Sequence, residues 1–168
     1  IETIQISDIL KDMEFKGYQY EAAEASFELL VKKYLGKLKT YFDIDYFKII
    51  GEKSGITQTP SSAIVKVKVG DKTEIGADEG DGPVNAIDKA LRSALKVFYP
   101  QIEKIHLIDY KVRVMDSNSA TAAVVRVLIE STDGKDVWTT VGASSDIINA
   151  SVIALVDSIE YKLLKDGV

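Results

Sequence analysis

The chain has 168 residues, 46% hydrophobic and 28% charged, the composition of one globular domain, alone or with an appendage, long enough to bury a core. With 21 basic against 26 acidic residues the net charge is −5, which argues against a nucleic-acid partner, since that would need a basic face. No apolar run approaches the roughly 20 residues of a membrane span, no secretory leader pattern is read, and with no cysteine there are no disulfides and no thiolate sites, which fits a cytoplasmic protein.

The first residues, "IETIQISDIL", lack methionine and are already helical, and read as part of something longer. Residues 4–37 read as helix. "ISDILKDMEFKG" spaces Ile6, Ile9, Leu10 and Met13 at helical intervals, with Ser7 as the N-cap and Gly17 as the stop. "YEAAEASFELLVKKYLGKL" follows as an amphipathic helix whose apolar side is Ala23, Phe27, Leu30, Val31, Tyr34 and Leu35. From Tyr41 the period changes to that of strands. "FDIDYFKII" is the first, and "AIVKVKV" the second, with Ala63, Val65, Val67 and Val69 on one face and Lys66 and Lys68 on the other. A long loop, "GEKSGITQTPSS", joins them. "GDK" at 70–72 is a tight turn into a third strand, "TEIGADE". A helix then runs from about Pro83 to Phe98, where "YPQ" ends it. The order then repeats: strands "IHLIDYKVRVM" and "TAAVVRVLIES", the hairpin "TDGKD", a third strand "VWTTVGA", and a closing helix "SSDIINASVIALVDSIEYKLL".

The residues show the duplication directly. "IDYFKI" at 44–49 matches "IDYKVR" at 108–113, and "GPVNAIDKAL" at 82–91 matches "DIINASVIAL" at 146–155, both 64 residues apart. The predicted class is α+β: a helical subdomain, 1–39, then a domain at 40–168 built of two pseudo-symmetric β-β-β-α units, 41–99 and 102–166. Each three-stranded sheet must cover an apolar face with its helix and its sister unit. The first long helix carries polar residues at Asp88, Lys89, Arg92 and Ser93. The second is apolar nearly all round, at Ile147, Ile148, Val152, Ile153, Leu155, Val156 and Ile159, so it is expected to be buried nearly all round, and a second subunit is the expected extra cover.

The chemistry-bearing stretch is "EGDGPVNA". Pro83 suits the first helical position, which puts Asp81 or Gly82 near the N-cap. The first turn of a helix presents unpaired N–H groups at the positive end of its dipole, which is a ready seat for an anion. Gly80 and Gly82 allow close approach, and Asp81 adds a negative charge, so an ammonium and a carboxylate could be received together, as a free α-amino acid requires. The plain alternative is that Asp81 is an N-cap and the glycines make a turn. The second copy starts the matching helix with "SSDII", without glycine. The single histidine, His106, sits on a strand and reads as structural, and no metal set or catalytic triad is read from it.

With the repeat and "GDGPVNA" in view, the chain resembles the C-terminal regulatory domain of the α-isopropylmalate synthase and citramalate synthase family. "DYKVRV", "TAAVVRVLIES", "DIINAS" and the "VGAS" stretch resemble the citramalate branch, and "KGYQYEAAEASFELL" the linker subdomain before it. The resemblance implies a homodimer that binds an end-product amino acid, isoleucine in the citramalate branch and leucine in the other, for feedback inhibition. It implies a parent acyltransferase that condenses acetyl-CoA with pyruvate in a metal-dependent barrel belonging to the same polypeptide but absent here. No cofactor, catalytic residue or membrane partner is expected in this part. By motif, Gly80, Asp81, Gly82, Val84 and Asn85 would contact the effector with Ile87 near, and Leu107, Tyr110, Thr121 and Ala123 would form a facing wall. A purely structural dimerisation module is the competing expectation.

Overall fold

A computed structural model describes residues 1–51, 60–115 and 123–168. Its elements are helices α1 (Glu2–Phe15) and α2 (Glu24–Tyr34), strands β1 (Asp43–Gly51), β2 (Ser61–Val69) and β3 (Lys72–Gly80), helix α3 (Pro83–Leu95), strands β4 (His106–Met115), β5 (Val124–Thr132) and β6 (Val137–Ser144), and helix α4 (Ile147–Lys165). The strands form two three-stranded antiparallel sheets, β1-β2-β3 and β4-β5-β6, each followed by its helix. The class is α+β with a duplicated β-β-β-α unit. The chain falls into two compact units, one of residues 40–103 and one of residues 1–39 with 104–168. The loop expected at 51–62 and the start expected for β5 at Thr121 fall largely outside the described residues.

In the unit at 40–103, Ala63, Val65 and Val67 of β2 are buried on the face that α3 covers. The opposite face of α3 stays polar, and its buried apolar stripe is Ala86, Ile87, Ala90, Leu91, Ala94 and Leu95. Helix and sheet come together at Gly76, where an added Cβ would collide with the carbonyl oxygen of Ala90. The β2–β3 hairpin closes in two residues with Gly70 at φ 61, the positive φ that a two-residue turn requires. Asp88, expected among the solvated positions, is buried at 7% exposure; its carboxylate accepts from Arg92 Nε at 2.9 Å, one turn on, so the charge is matched within the helix.

The other unit repeats the plan with more cover. Val127 and Ile129 of β5 and Trp138 of β6 face α4. Gly142 admits the backbone of α4 at Ala150, as Gly76 admits α3. Three hydroxyls and an indole tie sheet to helix. Ser131 and Ser158 share a 2.7 Å hydrogen bond, Thr140 donates to the Ala154 carbonyl at 2.8 Å, and Trp138 Nε1 donates to the Ser158 carbonyl at 3.2 Å. Lys162, 7% exposed, donates to Asp133 in the β5–β6 hairpin at 2.6 Å and to Asp166 at 3.0 Å. The hairpin's own N–H groups at Lys135 and Asp136 also reach Asp133, and with Lys162 they hold its carboxyl well below the usual carboxylate range.

The N-terminal helices depart from their expected form. Helix α1 begins at Glu2 with Ile1 as N-cap, so Ser7 lies inside the helix and is not its cap. Helix α2 starts at Glu24, because the chain at Tyr18–Ala23 is extended or turned and Ala23 has a non-helical φ of −136°. Its inward face is Ala25, Ser26 and Leu29, while Phe27, expected inside, is 38% exposed. The reason is polar: Ser26 Oγ accepts from the Val141 N–H at 2.9 Å and donates to Asp157 of α4 at 2.7 Å. Glu24 accepts from the Thr139 N–H at 3.3 Å, so α2 occupies the open edge of β6 and satisfies donors that would otherwise template another strand. In this unit one side of the apolar α4 packs on α2 of the same chain, while Ile147 stays 44% exposed.

Asp157 is half-buried between α4 and α2, and loss of hydration raises its carboxyl to about 6, against the pull of the Ser26 hydroxyl and the Lys33 charge. A carboxyl raised above its unfolded value of about 3.9 contributes stability that is full below pH ~4 and is lost as pH rises through ~6. Asp157→Asn keeps an acceptor for Ser26 and removes the ionisation. It is expected to raise stability at pH 7 by on the order of 2 kcal/mol and to flatten the pH 4–7 dependence, as read by urea denaturation at each pH.

Candidate functional site

At the junction of β3 and α3, two glycines do different jobs. Gly80 ends the strand directly under the helix start, and an added Cβ would stand 2.5 Å from the Ala86 nitrogen and from Asn85 Oδ1. Its lack of a side chain is a packing requirement. Gly82 is the N-cap of α3, with φ −157° and ψ 175°, an extended conformation open to any residue, and an added Cβ would meet nothing within 4 Å. Among the described residues nothing fills the space beside Gly82.

Among the described residues no side chain caps α3. Pro83 has no N–H, and the Ala86 N–H already donates to the Gly82 carbonyl at 3.0 Å. The N–H groups of Val84 and Asn85 are therefore the unfilled donors of the first turn. Asn85, which could have served a ligand, turns its Oδ1 back to accept from the Asp81 N–H at 3.2 Å and so braces the turn. Of the two residues expected near the cap, Gly82 holds that position and Asp81 is exposed. The pattern D-G-P-x-N carried that signal, since an asparagine four residues on can reach the free N–H at its head.

The second copy is closed at the same place. Asp146, the counterpart of Gly82, caps α4 by accepting from the Ile148 N–H at 2.8 Å. Ser144 Oγ, at the counterpart of Gly80, accepts from the Asp146 N–H at 3.2 Å and from Asn149 Nδ2 at 3.1 Å. At their N-termini the two matching helices thus differ: α4 has a carboxylate over its first turn, and α3 has none.

The other expected contact residues are distributed as follows. In the unit at 40–103, Val84 is half-buried at the mouth, and Ile87 is 1% exposed in the core. In the other unit, Leu107 is half-buried on β4. Tyr110 is 38% exposed, its hydroxyl 2.7 Å from Ser151 Oγ. Ala123 is exposed just before β5, and Thr121 lies outside the described residues. His106 is exposed at the head of β4. Among the described residues no cluster of three metal-ligating side chains occurs, and no helix is long and apolar enough to cross a membrane.

The family model for the LeuA allosteric (dimerisation) domain matches residues 21–163. The chain belongs to this family. It is 52% identical over 164 residues to an (R)-citramalate synthase of Geobacter sulfurreducens, covering 97% of this chain and 31% of that protein. It is 49% identical over 166 residues to an (R)-citramalate synthase of Aquifex aeolicus, covering 98% of this chain and 31% of that protein. A 2-isopropylmalate synthase of Methanocaldococcus jannaschii is 28% identical over 162 residues, covering 96% of this chain and 30% of that protein. The chain therefore spans about a third of the length of the relatives it matches. It is a LeuA allosteric domain with greater similarity to citramalate synthases than to that isopropylmalate synthase.

The two glycines and the one cap separate cleanly by substitution. Gly80→Ala is expected to cost about 1–3 kcal/mol by forcing backbone apart. Gly82→Asp should gain a few tenths of a kcal/mol by adding the missing cap, and Asp146→Ala should lose about 1 kcal/mol. Urea midpoints for the three variants check the order.

Proposed function

We propose that this chain is the amino-acid-sensing regulatory domain of a citramalate synthase, that its effector is isoleucine, and that the effector inhibits the parent enzyme. The observation that carries the reading is the uncapped start of α3. The effector carboxylate takes the Val84 and Asn85 N–H groups in the space beside Gly82, where the helix dipole favours negative charge. Its ammonium is met by Asp81, exposed one residue before the cap. The family's description as an allosteric domain supports an effector role, and the names of the relatives favour the citramalate branch.

The parent enzyme, on this reading, joins acetyl-CoA to pyruvate in a divalent-metal barrel carried by the rest of a cytoplasmic polypeptide, and the domain pairs with a second copy of itself. Inhibition is a shift of population: isoleucine binds one arrangement of the protein better than another, with a coupling of about 1–3 kcal/mol. Isoleucine and leucine differ only in where a methyl group branches, so shape alone separates them by roughly 1–3 kcal/mol.

Calorimetric titration of the chain with isoleucine, leucine and valine tests the reading. Isoleucine is expected to bind most tightly. Gly82→Val, whose side chain enters open space in the free protein, is expected to abolish that heat and leave the sedimentation coefficient unchanged. Tighter binding of leucine would move the chain to the isopropylmalate branch. No heat from any of the three would leave a structural dimerisation module.

A further inference from the structure

The unit formed by residues 1–39 and 104–168 contains a concentration of positive charge that the proposed effector site does not use. In β4 and β5 the register pairs Tyr110 with Ile129 and Val112 with Val127, and Tyr110 bonds Ser151 of α4, so these residues share the helix-covered side. Alternate residues therefore project from the opposite side of the sheet. There, Arg113 stands directly across from Arg126, and Lys111 is two residues along from Arg113. These three cations, with Gln19 and Leu128, line a cavity of about 420 Å³.

The arrangement is costly as it stands. Like charges placed directly across a strand pair repel. Arg126 is only 8% exposed, and buried charges are ordinarily matched by an opposite charge. Among the described residues its partners are neutral: Nε donates to the Gly17 carbonyl at 2.7 Å and Nη1 to Gln19 Oε1 at 2.9 Å. Lys111 Nζ is 3.4 Å from Asp109, but among the described residues neither arginine has a carboxylate within ion-pair distance. Burial, and then the charge of Arg113, pull Arg126 below its ordinary value. The cluster stands on a chain whose net charge is −5. The acids of this side are instead one row further along, at the cross-strand pair Asp109 and Glu130.

The geometry points to an oxyanion site of the phosphate class on this face, with Arg113 and Lys111 as its exposed donors and Arg126 as its buried countercharge. Two arginines side by side match the fork geometry of a phosphate, and each contact is a charge-assisted hydrogen bond. The bound anion removes the Arg113–Arg126 repulsion. Because Arg126 also holds Gly17 and Gln19, the same anion stiffens the extended segment that leads into α2.

The test uses inorganic phosphate and pyrophosphate as probes, with acetate as the carboxylate arm, all at one ionic strength set with sodium chloride, and reads backbone amide shifts and the melting temperature. Arg126 braces the Gly17–Gln19 segment, so Arg113→Gln, at an exposed position, is the informative variant, and Lys68→Gln, exposed in the other unit, is the control. Phosphate or pyrophosphate is expected to move the amides of residues 19, 111–113 and 126–128 and to raise the melting temperature. Arg113→Gln is expected to melt higher than the parent in the absence of phosphate and to bind it at least roughly tenfold more weakly, the loss of one charge-assisted bond. Lys68→Gln should respond as the parent does. Unmoved amides, undiminished binding by Arg113→Gln, or an equal response to acetate would overturn the assignment.

Discussion

The backbone of a helix can lie directly on a strand only where one of the two lacks a side chain. Both units of this protein depend on that contact. Gly76 meets α3 at Ala90, and Gly142 meets α4 at Ala150. The glycines and alanines bring the two layers so close that Leu91, Leu95, Leu155 and Ile159, around the contact, lose essentially all exposure. Once the helix is fixed at this depth, the level of its first turn relative to the end of the third strand is fixed too. That places Gly80 against Ala86 in one unit and Ser144 against Asn149 in the other, and it sets where a ligand or a cap can sit.

From that shared frame the two copies have diverged in opposite directions. One covers its helix start with an aspartate and a serine and fills the far side of its helix with α2. The other leaves its helix start bare and keeps the far side of its helix polar. A duplicated unit allows such a division of labour, since one copy can be tied down while the other keeps a costly opening. The Ser26–Asp157 bond belongs to the tied-down copy. It joins α2 to α4 through a carboxyl that is poorly solvated, so the junction is sensitive to protonation as well as to packing.

Much of this was legible in the order of residues. The alternation of Ala63, Val65 and Val67, the 64-residue spacing of the two asparagines and the proline at 83 each express a local rule, and local rules survive without coordinates. What was not legible came from contacts between distant segments. Nothing in "EGDGPVNA" distinguishes Gly80, silent because Ala86 presses on it, from Gly82, beside open space. The apolar excess of α4 was plain, but its partner α2 was not, because that helix presents a serine inward and a phenylalanine outward. Ser7 had the composition of a cap and lost to the turn before it, which extended the helix to Glu2. The pairing of Arg113 with Arg126 depends on the strand register, which the sequence does not state.

The chain's one tryptophan is Trp138, 3% exposed, with its indole N–H on Ser158 and its ring 5.8 Å from that of Tyr161. All three residues belong to the unit of residues 1–39 and 104–168. Intrinsic fluorescence excited at the red edge therefore watches one copy only and is blind to the copy that carries the bare helix start. Circular dichroism sees both. Any gap between the two melting curves measures directly how far duplication has let the halves come apart as cooperative units.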